Sequence, residues 1–151
     1  MRTTLLVLHI IGVAIWLGAN GVLAFAGPRA ASAGPEVRAW WSDTQGAMAR
    51  VLYNIAGILV LLTGLGLLLR SDSPFEFSDT FISIGFLAII VGAGLGMAVF
   101  GPGTRKLSDA IRSGDADTER EVTSRLQAFG ILDTLVLVVT IVAMVGKWGW
   151  G

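Results

Sequence analysis

Four apolar runs, each about as long as a bilayer's hydrocarbon core is thick, constrain this chain more than any other feature. They cover approximately Thr3–Ala26, Met48–Leu69, Thr80–Phe100 and Leu126–Gly146. A core of about 30 Å takes roughly 20 helical residues to cross. Lipid offers no partner to a bare peptide group, so a spanning segment must satisfy its own backbone, as a helix does. Charged residues make up 15% of the chain, against about 25% in an ordinary soluble domain. The mean hydropathy is +0.73. These features predict an all-α polytopic membrane protein: one domain, residues 1–151, folded as an antiparallel bundle of four transmembrane helices over about 3–26, 48–69, 80–100 and 126–146. The stretches 27–47, 70–79 and 101–125 read as connections, and no Gly-, Pro- and Ser-rich cluster is long enough to separate two domains.

The first run also has to be weighed as a secretory signal. Arg2 resembles an n-region, and Ala24-Phe-Ala26 resembles a cleavage site. Signal h-regions are about 7–15 residues long, whereas this apolar stretch continues past Trp16 to Ala26. Retention of the helix is the expectation. Cations set the orientation. The ends of the chain and the middle connection carry three (Arg2, Arg70, Lys147), beside the acids Asp72, Glu76 and Asp79. The other two connections and their flanks carry eight: Arg29, Arg38, Arg50, Arg105, Lys106, Arg112, Arg120 and Arg125. The positive-inside rule then makes loops 27–47 and 101–125 cytoplasmic and puts both termini on the outer side of a cell membrane. Trp148 and Trp150 fall at the outer interface, and Trp40 and Trp41 near the inner one. In the third connection, Arg105 to Arg125 reads either as a short amphipathic helix against the inner leaflet or as a solvated linker.

Small residues let membrane helices approach closely. Gly12, Gly18 and Gly21 lie on the first run, Gly57, Gly64 and Gly66 on the second, and Gly92 and Gly96 form a G-x-x-x-G on the third. They suit a tight bundle, and equally a homodimer through glycine-rich faces. The lipid bilayer is the expected partner. Nucleic acid is not, because net charge is zero and the cations form no basic stripe with aromatics.

Polar groups within the runs are the candidate sites. His9, Gly12, Trp16, Asn20 and Leu23 share one helical stripe, which should face other helices, because lipid gives a histidine or an amide no partner. At about 1.5 Å per residue, Asn20, Asn54 and Asp133 come to one level, roughly 10 Å below the inner surface. That layer is either a polar cavity or proton-accepting site around Asp133, or an interhelical hydrogen-bond clamp; both readings are open here. His9 falls in the outer half, at a depth similar to Thr63 and Thr140, with Met144 a turn further out. Histidine is a common metal ligand and an axial ligand of haem. His9 with Met144, or His9 from two copies, would serve a b-type haem, with Trp16 beside it; a bond from His9 to Thr63, Thr140 or a backbone carbonyl is the plainer reading. Met48, Met97 and Met144 lie at different depths and read as packing.

The absence of cysteine excludes disulfides, thiolate metal sites and cysteine nucleophiles. No G-x-x-x-x-G-K-[ST], G-x-S-x-G or H-E-x-x-H occurs. Asp133 and His9 are expected in opposite halves of the bilayer, which rules out pairing them for serine catalysis.

The segment Leu8-His-Ile-Ile-Gly-Val-Ala-Ile-Trp-Leu-Gly18 resembles the first helix of the CopD-like superfamily of small membrane proteins. Ala56–Gly64, Phe100-Gly-Pro-Gly-Thr-Arg-Lys106 and Val142–Lys147 resemble its members of unassigned function. In the HemJ-type protoporphyrinogen oxidases of that superfamily the first-helix histidine is tied to haem b, which the resemblance places on His9. Those enzymes also carry an arginine soon after the tryptophan and a lysine in the third helix. Here the first such arginine is Arg29, and Thr80–Phe100 has no lysine, so that oxidase activity is not expected. The copper-resistance type implies copper handling, for which this chain has few ligands. The resemblance implies a non-enzymatic or cofactor-assisted membrane protein with a site at His9 and Trp16. The rivals are a transport or proton-relay component using Asp133, Asn20 and Asn54, and a structural or assembly subunit.

Overall fold

The computed structural model describes residues 1–70 and 74–149; Asp72 and Trp150, assigned above to the outer side, lie outside them. Among the described residues the protein is all-helical. α1 (Arg2–Ala31) ends in a short connection, and Pro35 then opens α2 (Pro35–Met48) at a position where proline's missing N–H costs nothing. α2 does not stop at a loop. A π-helical turn, Ala49–Tyr53, carries it into α3 (Asn54–Leu68). The second half mirrors this. α4 (Thr80–Leu95) runs through a π-helical turn, Gly96–Phe100, into α5 (Gly101–Ser113). Gly114, at φ 74°, then breaks the chain in the left-handed conformation that ends many helices. Asp115 caps α6 (Ala116–Gly146) by accepting from the Thr118 N–H. That bond holds the exposed Asp115 carboxyl below the usual range.

The molecule is therefore four long rods: Arg2–Ala31, Pro35–Leu68, Thr80–Ser113 and Ala116–Gly146, each long and apolar enough to cross a membrane. At about 1.5 Å per residue, the 34-residue rods outreach a 30 Å core by about 20 Å. The excess corrects the expected connections. Residues 27–47 and 101–125 are mostly helix, interrupted only around residues 32–34 and 114–115. Arg105 to Arg125 is neither one helix lying on a leaflet nor a linker, because Gly114 divides it between α5 and α6. The buried stripe of α5 is Thr104, Leu107, Ser108, Ala110 and Ile111. It faces α2 and α6, not lipid: Ala39, Leu107, Ile111 and Val122 form one apolar cluster, with Leu126 against it.

This head is pinned by polar bonds at its edge. Ser42 Oγ donates to the Thr104 carbonyl at 2.8 Å, and Ser108 Oγ donates to Asp43 at 2.8 Å. Arg112 pairs with Asp43, and Arg38 with Glu119 at 2.9 Å. The Ser108 hydroxyl, and then Arg112, hold the Asp43 carboxyl below the usual carboxylate range. A Cβ on Gly46 would stand 3.2 Å from the Thr104 hydroxyl, so α2 and α5 cross closely there. One π turn begins three residues after Gly46 and the other ends four before Thr104. Both lie just beyond the crossing, where the packed α2–α5 pair gives way to α3 and α4. Helices bend at such turns, which here let the two rods part.

Below the head, α1 packs on α3 and α4 packs on α6. Gly12 meets the Ala56 carbonyl and Val60, Gly64 meets His9, and Gly66 meets Leu5. On the other side the Met144 methyl fills the space that a Cβ on Gly85 would take, and Leu126 closes on Gly103. Lys147, at φ 46°, turns the chain so that the Trp148 carbonyl accepts from the Phe81 N–H at 3.1 Å. That satisfies one of the free donors at the start of α4. Gly18, Gly21, Gly57, Gly94 and Gly96 have open space where a side chain would be. The G-x-x-x-G of α4 thus splits into a packed Gly92 and an open Gly96. Only 17–22% of each apolar span is buried, and Ile10, Leu62, Ile90 and Val145 are among the exposed side chains. Exposed apolar surface on that scale marks a contact with membrane or with another protein.

Candidate functional site

Three helical segments send side chains to one point between the two packed pairs, and α4 adds the bare backbone of Gly92. Trp16 on α1 is 7% exposed, and its indole lies across Gly92 of α4; a Cβ there would stand 2.5 Å from Cζ2 and Cη2. The absence of a side chain at Gly92 lets the ring lie flat and reach α6, where Nε1 donates to Asp133 Oδ2 at 3.0 Å. Asn20, one turn further along α1, donates from Nδ2 to the same oxygen at 2.9 Å and to Thr134 Oγ1 at 3.1 Å. The Asn20 carbonyl accepts from the Tyr53 hydroxyl at 2.5 Å, and Tyr53 meets Trp16 edge to face with centroids 6.4 Å apart. Tyr53 is the last residue of the first π turn. The site and the bend in α2–α3 are thus joined.

The result is a buried acid, 5% exposed, with both donors on one oxygen. Among the described residues no hydrogen-bond donor meets Oδ1, which faces Gly92, and no cation pairs with the carboxyl. The Trp16 indole that bonds it belongs to an apolar cluster with Ala56 and Leu137, and Val13, Ile15, Ile89 and Ile141 pack against that cluster. A single unneutralised carboxyl in such surroundings is costly as an anion.

The layer expected from sequence is only partly assembled. Asn20 and Asp133 meet, but Asn54 does not join them. Its side chain is exposed, and Nδ2 turns back to its own helix to donate to the Arg50 carbonyl at 2.8 Å. Tyr53, Gly92 and Thr134 complete the site instead. Counting residues gave the height of Asn54 but not its bearing around the helix. The π turn just before it adds a residue to one turn, so facing inferred at 3.6 residues per turn fails across it. Tyr53 carried a signal of its own, as the chain's one tyrosine set in an apolar run. Trp16, assigned above to His9, is bonded to Asp133.

His9 occupies a second polar point, between α1 and α3. Nδ1 lies 3.1 Å from both the Val60 carbonyl and Thr63 Oγ1, and Thr63 itself donates to the Leu59 carbonyl. A carbonyl can only accept, so Nδ1 carries the proton and the Nε2 lone pair is left over. Thr140 donates to Val136 of its own helix at 2.7 Å and makes no bond to His9. Met144 packs on Gly85, in the other helix pair. Among the described residues this point offers a ligand site one imidazole, that of His9. Among the described residues no group of three or more His, Cys, Asp or Glu could hold a metal ion.

Compared with protein-family models, with curated proteins and with solved structures, the chain matches none of them.

Proposed function

We propose that this chain is a multi-pass protein of the cell membrane, an antiparallel bundle of four transmembrane helices of CopD-like type, whose working centre is the Asp133 carboxyl. The α2–α5 head is cytoplasmic and both termini are outside, a reading supported by the bias of eight cations against three. The centre takes up and releases a proton and serves transport or proton relay across the bundle. One observation carries this reading: a carboxyl 5% exposed, with two donors on Oδ2 and, among the described residues, none on Oδ1. Two donors on one oxygen leave the other able to carry a proton. An ionisable group inside a membrane bundle is costly, and its commonest use is in a substrate or proton path. Tyr53 and Asn20 extend the centre toward the head as a short hydrogen-bonded chain. The test is pH-difference infrared spectroscopy of the protein in lipid. A carboxyl band that titrates, vanishes in Asp133→Asn and shifts in Trp16→Phe is expected. A carboxyl that stays in one form wherever the protein is folded would reduce the network to a clamp.

The His9 tautomer favours a second, compatible reading. With Nδ1–H held by the Val60 carbonyl, Nε2 is free to ligate, the arrangement that metal-binding histidines use. Haem b held by His9 would supply a redox centre, and a second ligand would come from outside the helix pair, for instance His9 of a second copy. The absorption spectrum of the protein purified from haem-replete cells tests it. A stoichiometric Soret band lost in His9→Ala is expected; absorbance from tryptophan alone would remove haem from the account.

A further inference from the structure

Asn54 is left over by both sites. It stands on the outer face of α3, and in a bilayer, as proposed above, that face meets acyl chains. Its Nδ2 donates to the Arg50 carbonyl; its second N–H and its carbonyl oxygen have no partner among the described residues. Lipid cannot supply one. The same face continues with Gly57, Ile58 and Leu61, at steps of three, four and seven from Asn54. Ile58 is 59% exposed and Leu61 37%, and a Cβ on Gly57 would meet nothing within 4 Å. The opposite face of α3, with Ala56 and Thr63, is already buried.

We infer that two copies of this chain associate through the Asn54–Gly57–Leu61 face of α3, with the two Asn54 amides bonded to one another. A carboxamide is its own complement. Across a two-fold axis each N–H meets the other copy's carbonyl, so one residue supplies two bonds and satisfies the groups left over in both chains. No other side chain on this face offers a partner of different chemistry a hold. Gly57, one turn along, gives the crossing point where backbones approach. From there the helices diverge toward Arg50, whose carbonyl the Asn54 amide reaches across the π turn. The two Arg50 guanidinium groups thereby separate into the headgroup layer, where anionic lipid and the nearby Asp43 carboxylate offset their charge. The face is distinct from the α1–α3 seam, so dimerisation leaves His9 and Asp133 where they are.

The inference rests on the membrane reading, and the experiment keeps the two apart. Because the chain has no cysteine, Leu61→Cys reports this face alone and Ile90→Cys, on α4, serves as its control. Both are tested in native membranes after a carbonate wash. Loss of the protein in the wash overturns the membrane reading, and the dimer with it. Retention, with disulfide cross-linking of Leu61→Cys well above Ile90→Cys, is the expected result. Equal cross-linking overturns the dimer alone. The second measurement is energy transfer between labelled copies on dilution into liposomes. Asn54→Leu, which suits lipid and leaves the fold intact, should weaken association by roughly 3- to 30-fold, the range of interhelical hydrogen bonds in membranes. An unchanged association curve for Asn54→Leu overturns the role of the amide pair.

Discussion

Trp16 shows at residue scale how the centre depends on small features. Its indole is a hydrogen-bond donor, an apolar wall and a lid over Gly92 at once. Trp16→Phe keeps the wall and removes the donor. We expect a loss of about 0.5–1.5 kcal/mol, the net worth of one hydrogen bond, because Oδ2 still accepts from Asn20; it is read as a lower unfolding temperature in mild detergent. Gly92→Ala puts a methyl into the ring, which overpacks the site by about 1–3 kcal/mol. The two act on one contact, so in the Trp16→Phe background Gly92→Ala should cost clearly less than it does alone; equal costs in both backgrounds would disconnect them. Of the site, sequence made legible the buried acid, the amide and the polar stripe of α1. The partner of Trp16 was not legible, because a stripe shows that a face turns inward and not which helix it meets. Gly92 was legible as a small residue only.

At the scale of elements, the apolar runs of the four rods were plain, and their extensions were not. A hydropathy window detects lipid-facing helix; α2 and α5 continue beyond it as amphipathic helices covering each other with single stripes such as Ala39, Ser42 and Gly46. The polar edge of this head makes it sensitive to acid. Asp43 sits below its ordinary value through Ser108 and Arg112, so it binds fewer protons folded than unfolded. Its contribution is complete above the unfolded value of about 4 and is lost as pH falls through the lower folded one. We therefore expect the unfolding temperature to fall less steeply in Asp43→Asn than in wild type as pH is lowered below about 4. Identical slopes would mean that the Asp43 contacts add nothing to stability. At the turn between α5 and α6, Gly114→Ala forces a side chain into φ 74°. It should cost about 1 kcal/mol without touching the Asp133 centre.

The whole molecule is two packed helix pairs, α1 with α3 and α4 with α6, joined below the head by the Trp16–Asn20–Tyr53–Asp133 network and Gly92. The two π turns are the bends nearest to that joint, and Tyr53 belongs to one of them. Orientation is tested by labelling single cysteines in intact cells with an impermeant maleimide. Phe77→Cys should react and Ser113→Cys should not; the reverse pattern would invert the topology. The central claim is that Asp133 exchanges a proton with the two sides. Its most direct measurement is proton entry into liposomes carrying the protein, with a pH-sensitive dye trapped inside and a gradient imposed across the bilayer. Asp133→Asn keeps the size of the side chain and still accepts from Trp16 and Asn20, so it removes the titrating group without dismantling the site. The account predicts entry well above that of empty liposomes for wild type and a fall to the empty-liposome rate for Asp133→Asn. Equal entry in both proteins, or none in either, would contradict it and leave the network a clamp between two helix pairs.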